Sequence, residues 1–352
     1  MRRLHKRVYR KADGRSVYLY GETPHALSAV GEDEGMPAVF SHLRWHPLRG
    51  EWVVYAAHRQ TRTFLPPSEF CPLCPTRPGA FATEIPFADF EIAVFENRFP
   101  AFLARPSTAS TLCVPTAPAE GACEVVVYTA EHEGNIATLP PSRRELLLRV
   151  WADRCQELSA RDGIRFVMPF ENRGEQVGVT LHHPHSQIYA YPFVPPVLLQ
   201  EVTAFHQGDV LVDLLGRAGD AYTVVEDERV VAMVPPFARY PYEVWIMPKA
   251  RRSGPWEFDD GEVASFARAL ADVVRGYDAL FLKPFPYVMV LHAAPKGEDD
   301  RFHFHAEFYP PLRTADKLKY LAGTELGAGT FIVDALPEES ARILRQVVRR
   351  LS

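Results

Sequence analysis

The sequence predicts an α+β fold built from two related halves, and three observations carry that prediction. Short apolar segments are separated by proline-rich loops, and 31 prolines in 352 residues favour loops and sheet edges over a helical bundle. Three stretches show the apolar spacing of amphipathic helices. The order strand, helix, strand, His-x-His strand occurs twice, offset by about 120 residues, a period that fits a duplicated α+β unit rather than a solenoid. The length allows one large or two ordinary domains. The halves are taken as residues 1–195 and 196–352.

In chain order, Cys123-Glu-Val-Val-Val-Tyr128 reads as the first strand of the repeat. A helix is expected to begin at Ser142, with Glu145 completing a capping box, and it carries Leu146, Leu147, Val150, Trp151, Cys155 and Leu158 at helical spacing. Phe166-Val-Met-Pro-Phe170 and His183-Pro-His185-Ser-Gln187 follow as strands. The second half repeats the order with Tyr242–Met247, a helix over 261–280, Tyr287–Leu291 and His303-Phe-His305-Ala-Glu307. A third helix opens at Pro337-Glu338-Glu339 and runs to the C-terminus through Ile343, Leu344, Val347, Val348 and Leu351.

Composition narrows the function classes. Hydrophobic residues at 47% and charged residues at 24% are ordinary for a globular enzyme. A net charge of −5 provides no basic field to recruit nucleic acid, and no apolar stretch approaches membrane-spanning length. The basic N-terminus (Arg2, Arg3, Lys6, Arg7, Arg10, Lys11) lacks the apolar run of a secretory signal and reads as a solvated edge. Five cysteines, an odd number with two in a CxxC, argue against a disulfide scaffold and for a reducing, cytoplasmic setting with a metal knuckle.

The chemistry concentrates in His182-His183-Pro184-His185-Ser186-Gln187. On an extended segment His183, His185 and Gln187 share one face. An imidazole can serve as base, metal ligand or nucleophile near neutral pH; the Gln187 amide donates a hydrogen bond but delivers no proton. Cys71-Pro-Leu-Cys74 aims two thiols at one point, as a metal loop or a redox pair. Pro75 and Pro78 argue against the helix that a redox pair usually opens.

The His-Pro-His-x-Gln pattern resembles the signature of the galactose-1-phosphate uridylyltransferases, a branch of the histidine-triad superfamily. The resemblance runs from about Arg44 to the C-terminal helix and leaves residues 1–40 without readable chemistry. It implies two histidine-triad-like halves forming one antiparallel half-barrel with flanking helices. It also implies that His185 is a nucleophile which carries a nucleotidyl group, with Gln187 stabilising phosphoryl oxygens. The overall reaction would move UMP from UDP-glucose to galactose 1-phosphate in a homodimer. Two rivals remain open at this stage: an adenylyltransferase or phosphorylase using ADP-glucose, and a protein that binds nucleotide sugars without turning them over.

The same resemblance assigns the other sites. Zinc would be held by Cys71, Cys74, His132 and His183. A second ion, iron or zinc, would use Glu201, His292 and His305, with Glu307 standing where a third histidine is usual; alternatively His303 substitutes there, or no ion is held and Glu307 and His305 form a buried ion pair. Arg59 and Arg62 match arginines that reach the diphosphate, a suitable task for forked guanidinium groups. Asn97 matches a nucleoside contact, beside Arg98 where some members have aspartate. Asn172 and Thr180 match the phosphate region. Lys319 and Glu325 match residues near the second sugar, although Thr324 and Phe331 replace a common tyrosine and glutamine there.

Overall fold

The computed structural model describes residues 4–30, 39–62, 65–107 and 111–351. Its elements are β1 (His5–Arg10), β2 (Ser16–Gly21), β3 (His42–His46), β4 (Glu51–Tyr55), β5 (Ile92–Glu96), β6 (Thr116–Pro118), β7 (Ala122–Val127), α1 (Pro141–Ser159), β8 (Phe166–Arg173), β9 (His185–Tyr191), α2 (Pro196–Gln207) and α3 (Val210–Ala218). The chain continues through β10 (Thr223–Glu226), β11 (Val230–Met233), β12 (Val244–Pro248), α4 (Asp260–Leu280), β13 (Tyr287–His292), β14 (His305–Tyr309), the short pair β15 and β16 (Leu312–Thr314, Lys317–Leu318) and α5 (Pro337–Leu351).

Eleven of these strands pair into one open sheet in the order β1-β2-β5-β7-β9-β8-β13-β14-β12-β11-β10, antiparallel throughout. The duplication is visible in that order. The trio β7-β9-β8 is mirrored by β12-β14-β13, and the two trios join where β8 meets β13, with Tyr287 opposite Arg173 and Met289 opposite Glu171. The helices α1 and α4 lie against each other over the large core, whose buried side chains include Trp151, Tyr128, Phe266, Tyr277 and Tyr287. The hairpin β3–β4 with β6 forms a separate small sheet. The sheet and its flanking helices are the α+β half-barrel architecture expected from the sequence.

Four local expectations are corrected. No side chain caps α1: Pro140 is its N-cap and Pro141 its first residue, so Ser142 already lies inside the helix. A proline there has the required φ and sacrifices no helical N–H. The capping box belongs instead to α4, where Asp259 accepts from the Glu262 backbone and Glu262 returns the bond. The strand β9 starts at His185 rather than His183. Two helices, α2 and α3, fill a region read as loop; Pro196 opens α2, the same N-terminal signal that was read at Pro337. Finally, Lys11 is buried rather than solvated, with its Nζ 2.9 Å from Glu84 Oε2.

One ion pair locks α1 onto the sheet. Arg154 and Glu124 are fully buried, with two bonds of 2.8 and 2.7 Å, and the guanidinium lies 4.0 Å over the Tyr18 ring. Removing Glu124 takes the buried counter-charge from Arg154 and leaves it the exposed Glu157 carboxylate, 2.7 Å from Nη1. We expect Glu124→Leu to cost about 3 kcal/mol in chemical denaturation, and Glu124→Leu with Arg154→Met to cost less than that single change. A single-variant loss below about 1 kcal/mol would contradict this role.

Candidate active site and metal centres

Strand period two sets the site. Along β9, His185, Gln187, Tyr189 and Tyr191 are partly exposed while Ser186, Ile188 and Ala190 are buried on the helix side. Trp151 of α1 donates its indole N–H to Ser186 Oγ at 3.0 Å, which fixes β9 from behind. In front, cross-strand partners form a row: Phe95 faces Val125, Val125 faces Gln187, and Gln187 faces Phe170. The loop leading to β9 turns at Gly174 and Gly178, both at positive φ (+94° and +80°), a conformation that suits glycine.

Two carbonyls settle the histidine tautomers, because a carbonyl only accepts. His183 Nε2–H donates to the Thr129 carbonyl at 2.8 Å, so its Nδ1 lone pair points the other way. His185 Nδ1–H donates to the His183 carbonyl at 2.7 Å, so Nε2 carries its lone pair. Burial pushes the His185 imidazole below its usual pKa, and burial likewise lowers His183 to about 4, partly offset by the Thr129 bond. Both rings are therefore neutral at physiological pH. The chain bends at His183 and Pro184 before β9 begins, and His183, while still lining one cavity together with His185, turns to the CxxC loop.

There His183 Nδ1 lies 4.0 Å from Cys71 Sγ and 3.5 Å from Cys74 Sγ, and His132 Nδ1 is 3.4 Å from Cys74 Sγ. All four ligand atoms fall within 4.8 Å of one another. Burial, reinforced by Cys71, pushes the Cys74 thiol up to about 12. Two sulfurs and two imidazole nitrogens form a donor set of the kind that binds a metal tetrahedrally, and the Thr129 bond supplies the outer support that orients a ligating histidine. The residues present fit a metal ion. No disulfide competes, since all five cysteines are free.

The second half reproduces the pattern without the sulfurs. His305 Nδ1–H donates to the His303 carbonyl at 2.8 Å, and His303 Nε2–H donates to the Pro248 carbonyl at 2.8 Å. His303 is thereby turned away from the second cluster, which comprises Glu201, His292, His305 and Glu307, with ligand atoms within 4.8 Å of one another. His292 Nδ1 is 2.9 Å from Glu201 Oε1, and His305 Nε2 is 3.1 Å from Glu307 Oε1. Burial works against a charge on His305, but Glu307 and Glu201 outweigh it and raise its pKa to about 9. Glu307 is held well below the carboxylate range against its burial by His292 and His305, and it also accepts from Arg239 and Tyr309. Glu201 Oε2 is buried without a hydrogen-bond partner, a vacancy in the bonding that a cation would fill. The second donor set also fits a metal ion.

Two cavities meet at His185. One, of about 330 Å³, is lined by His185, Gln187, Thr180, Arg59, Arg62 and Asn97, with Glu84 and Arg98 in its wall. Arg59 is held there by a 2.7 Å bond to the Phe99 carbonyl, and Asn97 Oδ1 accepts from Phe99 N at 2.8 Å. The other, of about 660 Å³, is lined by His185, Asn172, His182 and Glu175. The structure thus gathers the sequence-derived nucleotide residues around His185, with Asn172 on the opposite side. Lys319 and Glu325 line neither cavity. They pair with each other at 3.3 Å, and Lys319 Nζ also donates to the Ile332 carbonyl at 2.5 Å. Glu84 and its buried partner Arg15 went unnoticed in the sequence, and the other partner of Glu84, Lys11, was read as solvated, because lone charges between loop residues carry no periodic signal.

The duplicated strand-helix-strand-strand unit, with His-Pro-His-Ser-Gln entering a central strand, defines a protein of the histidine-triad superfamily. Family models describing the N-terminal and C-terminal domains of galactose-1-phosphate uridyl transferase match residues 32–195 and 203–351. The galactose-1-phosphate uridylyltransferase of Thermotoga maritima is 38% identical over 316 residues, covering 86% of this chain and 98% of the relative. That of Streptomyces lividans is 31% identical and covers 98% of both chains. A solved uridylyltransferase structure superposes with a TM-score of 0.78 at 31% identity, covering 88% of this chain and 99% of the other. The chain belongs to the galactose-1-phosphate uridylyltransferase family.

Proposed function

We propose that the protein transfers UMP from UDP-glucose to galactose 1-phosphate through a covalent intermediate on His185. The observation that carries this reading is the His185 tautomer: Nδ1–H is committed to the His183 carbonyl, which leaves the lone pair on Nε2 of a ring that lines the cavity with Arg59, Arg62 and Thr180. In the first half-reaction Nε2 bonds to the α-phosphorus while the bond to the bridging oxygen breaks, and its electron pair leaves on glucose 1-phosphate. The ring becomes cationic, and the Nδ1–H···O bond strengthens as charge develops. In the second half-reaction a phosphate oxygen of galactose 1-phosphate attacks the same phosphorus and the pair returns to Nε2. Gln187 donates to phosphoryl oxygens and offers water no acid-base help, which favours transfer over hydrolysis. A sugar phosphate is a sufficiently weak base to leave without a proton donor.

The supporting roles are proposed on the same footing. Zinc suits the Cys71, Cys74, His132 and His183 donors, where it supplies no reacting group and orients the segment bearing His185. Iron or zinc suits the Glu201, His292, His305 and Glu307 set. Asn172 serves the phosphate region from the second cavity. A homodimer whose subunits share sites gives Lys319 and Glu325 a sugar to contact, because their segment also carries the exposed Tyr320, Leu326 and Ile332. Free cysteines agree with a cytoplasmic location, and no helix among the described residues is long and apolar enough to cross a membrane.

The test is initial-rate kinetics with UDP-glucose and galactose 1-phosphate varied together. The account expects parallel double-reciprocal lines and formation of UDP-galactose. Intersecting lines would refute the covalent route, and faster turnover of ADP-glucose would refute the uridylyl donor.

A further inference from the structure

We propose that Glu84 and Arg98 read the hydrogen-bonding edge of the nucleobase, and that the N-terminal hairpin β1–β2 holds them in place. The inference rests on the uridylyl donor proposed above. It begins with the floor of the 330 Å³ cavity, where Gln187, Val125 and Phe95 lie side by side on β9, β7 and β5. Two strand spacings separate β9 from β5, about 10 Å. That is the reach of a nucleoside from its phosphorus to the far edge of its base. A phosphorus at His185 therefore lays the nucleoside over Val125 and Phe95.

At the far end the wall changes character. Leu73 and Pro72 of the CxxC loop are apolar there, and Glu84 is the one carboxylate among the described residues that line this cavity. Its backbone N–H donates to the Pro72 carbonyl at 2.9 Å, tying it to that loop. A bare carboxylate near a diphosphate ligand is repulsive, but this one is matched. Its Oε2 accepts from Lys11 Nζ at 2.9 Å and Arg15 Nη1 at 2.7 Å, both side chains nearly fully buried. Arg15 also donates to the Glu96 carbonyl at the end of β5 at 3.0 Å. The turn between β1 and β2 is thus bolted to the base end of the cavity.

With Oε2 taken, Oε1 is the edge Glu84 presents toward Arg98, whose Nη1 is 3.9 Å away. A fixed acceptor beside a guanidinium donor complements an imide N–H beside a carbonyl, which is the edge of uracil. This assigns a role to residues 5–21, which carry no other site residue, and to Arg98.

The experiment compares kcat/KM for UDP-glucose, its N3-methyluracil analogue and its 2′-deoxyribose analogue, each with galactose 1-phosphate as acceptor. The parent should reject the N3-methyl donor by about a hundredfold or more, because a buried acceptor is left unpaired. In Glu84→Gln the carbonyl oxygen turns to Lys11 and Arg15 and the NH₂ faces the base, a donor against a donor. That discrimination should fall about tenfold or more, with the preference for ribose over deoxyribose unchanged. Arg98→Gln, at a side chain 30% exposed, carries the same expectation if Glu84→Gln does not fold. An unchanged N3-methyl ratio, an equal fall on all three donors, or a shift confined to the deoxyribose ratio each overturns the assignment. A parent enzyme inactive on UDP-glucose refutes the proposed donor instead.

Discussion

Replacing His185 with alanine should lower uridylyl transfer by at least about 10⁴-fold, roughly 5.5 kcal/mol of barrier. The size follows from the route. Without Nε2 there is no group to hold the nucleotidyl moiety between the two sugar phosphates. Direct displacement would have to bring two mutually repelling anionic sugar phosphates to the same phosphorus at once. Gln187, two residues along the same face, cannot substitute, because its amide is not a nucleophile. The fold should survive, because His185 is partly exposed and its one assigned bond is to the His183 carbonyl. Steady-state transfer with matched thermal melting checks the prediction. Activity within about tenfold of the parent, about 1.4 kcal/mol, would end the nucleophile assignment.

Removing the metal from the Cys71, Cys74, His132 and His183 centre should lower the melting temperature by about 8 °C or more. A metal at a thousand times its Kd contributes about 4 kcal/mol, and a chain this large shifts by about 2 °C per kcal/mol. The centre ties together three distant stretches: the CxxC loop, the turn after β7 and the residues entering β9. Its loss should reach the chemistry as well. His183 offers its ring to the centre and its carbonyl to His185 Nδ1, so a loosened His183 loosens the tautomer of the nucleophile. Cys71→Ser should therefore reduce both melting temperature and transfer, and readdition of zinc should not restore either. Chelation verified by metal analysis, followed by calorimetry, provides the measurement. An unchanged melting temperature after verified removal would show that the centre carries no structural load.

Much of this was legible in the sequence because it rests on short-range patterns. The repeat showed as strand, helix and His-x-His in the same order twice, and the β8–β13 junction is where the two copies meet. The Cys71, Cys74, His132 and His183 set was legible through the resemblance rather than through spacing, since His132 lies 58 residues from Cys74. What escaped had no periodicity to reveal it. Lys11, Arg15 and Glu84 meet across 69 to 73 residues, and isolated charges in a sequence read as surface. The capping box was assigned to Ser142 because serine and glutamate have the right spacing, yet Pro140 and Pro141 already start that helix. The helix α2, which carries Glu201, was missed although Pro195-Pro196 announces it. His183 illustrates the limit of alternation: period two gave its side but not its partners, since β9 starts only at His185 and the residues before it bend to the CxxC loop.

The central claim is that His185 carries UMP, and mass spectrometry of the denatured intact protein after incubation with UDP-glucose alone tests it most directly. The account predicts a gain of one UMP that survives denaturation, disappears in His185→Ala, and is discharged by galactose 1-phosphate. A parent protein with its metal in place that gains nothing, gains AMP from ADP-glucose instead, or keeps the UMP adduct in His185→Ala would contradict it.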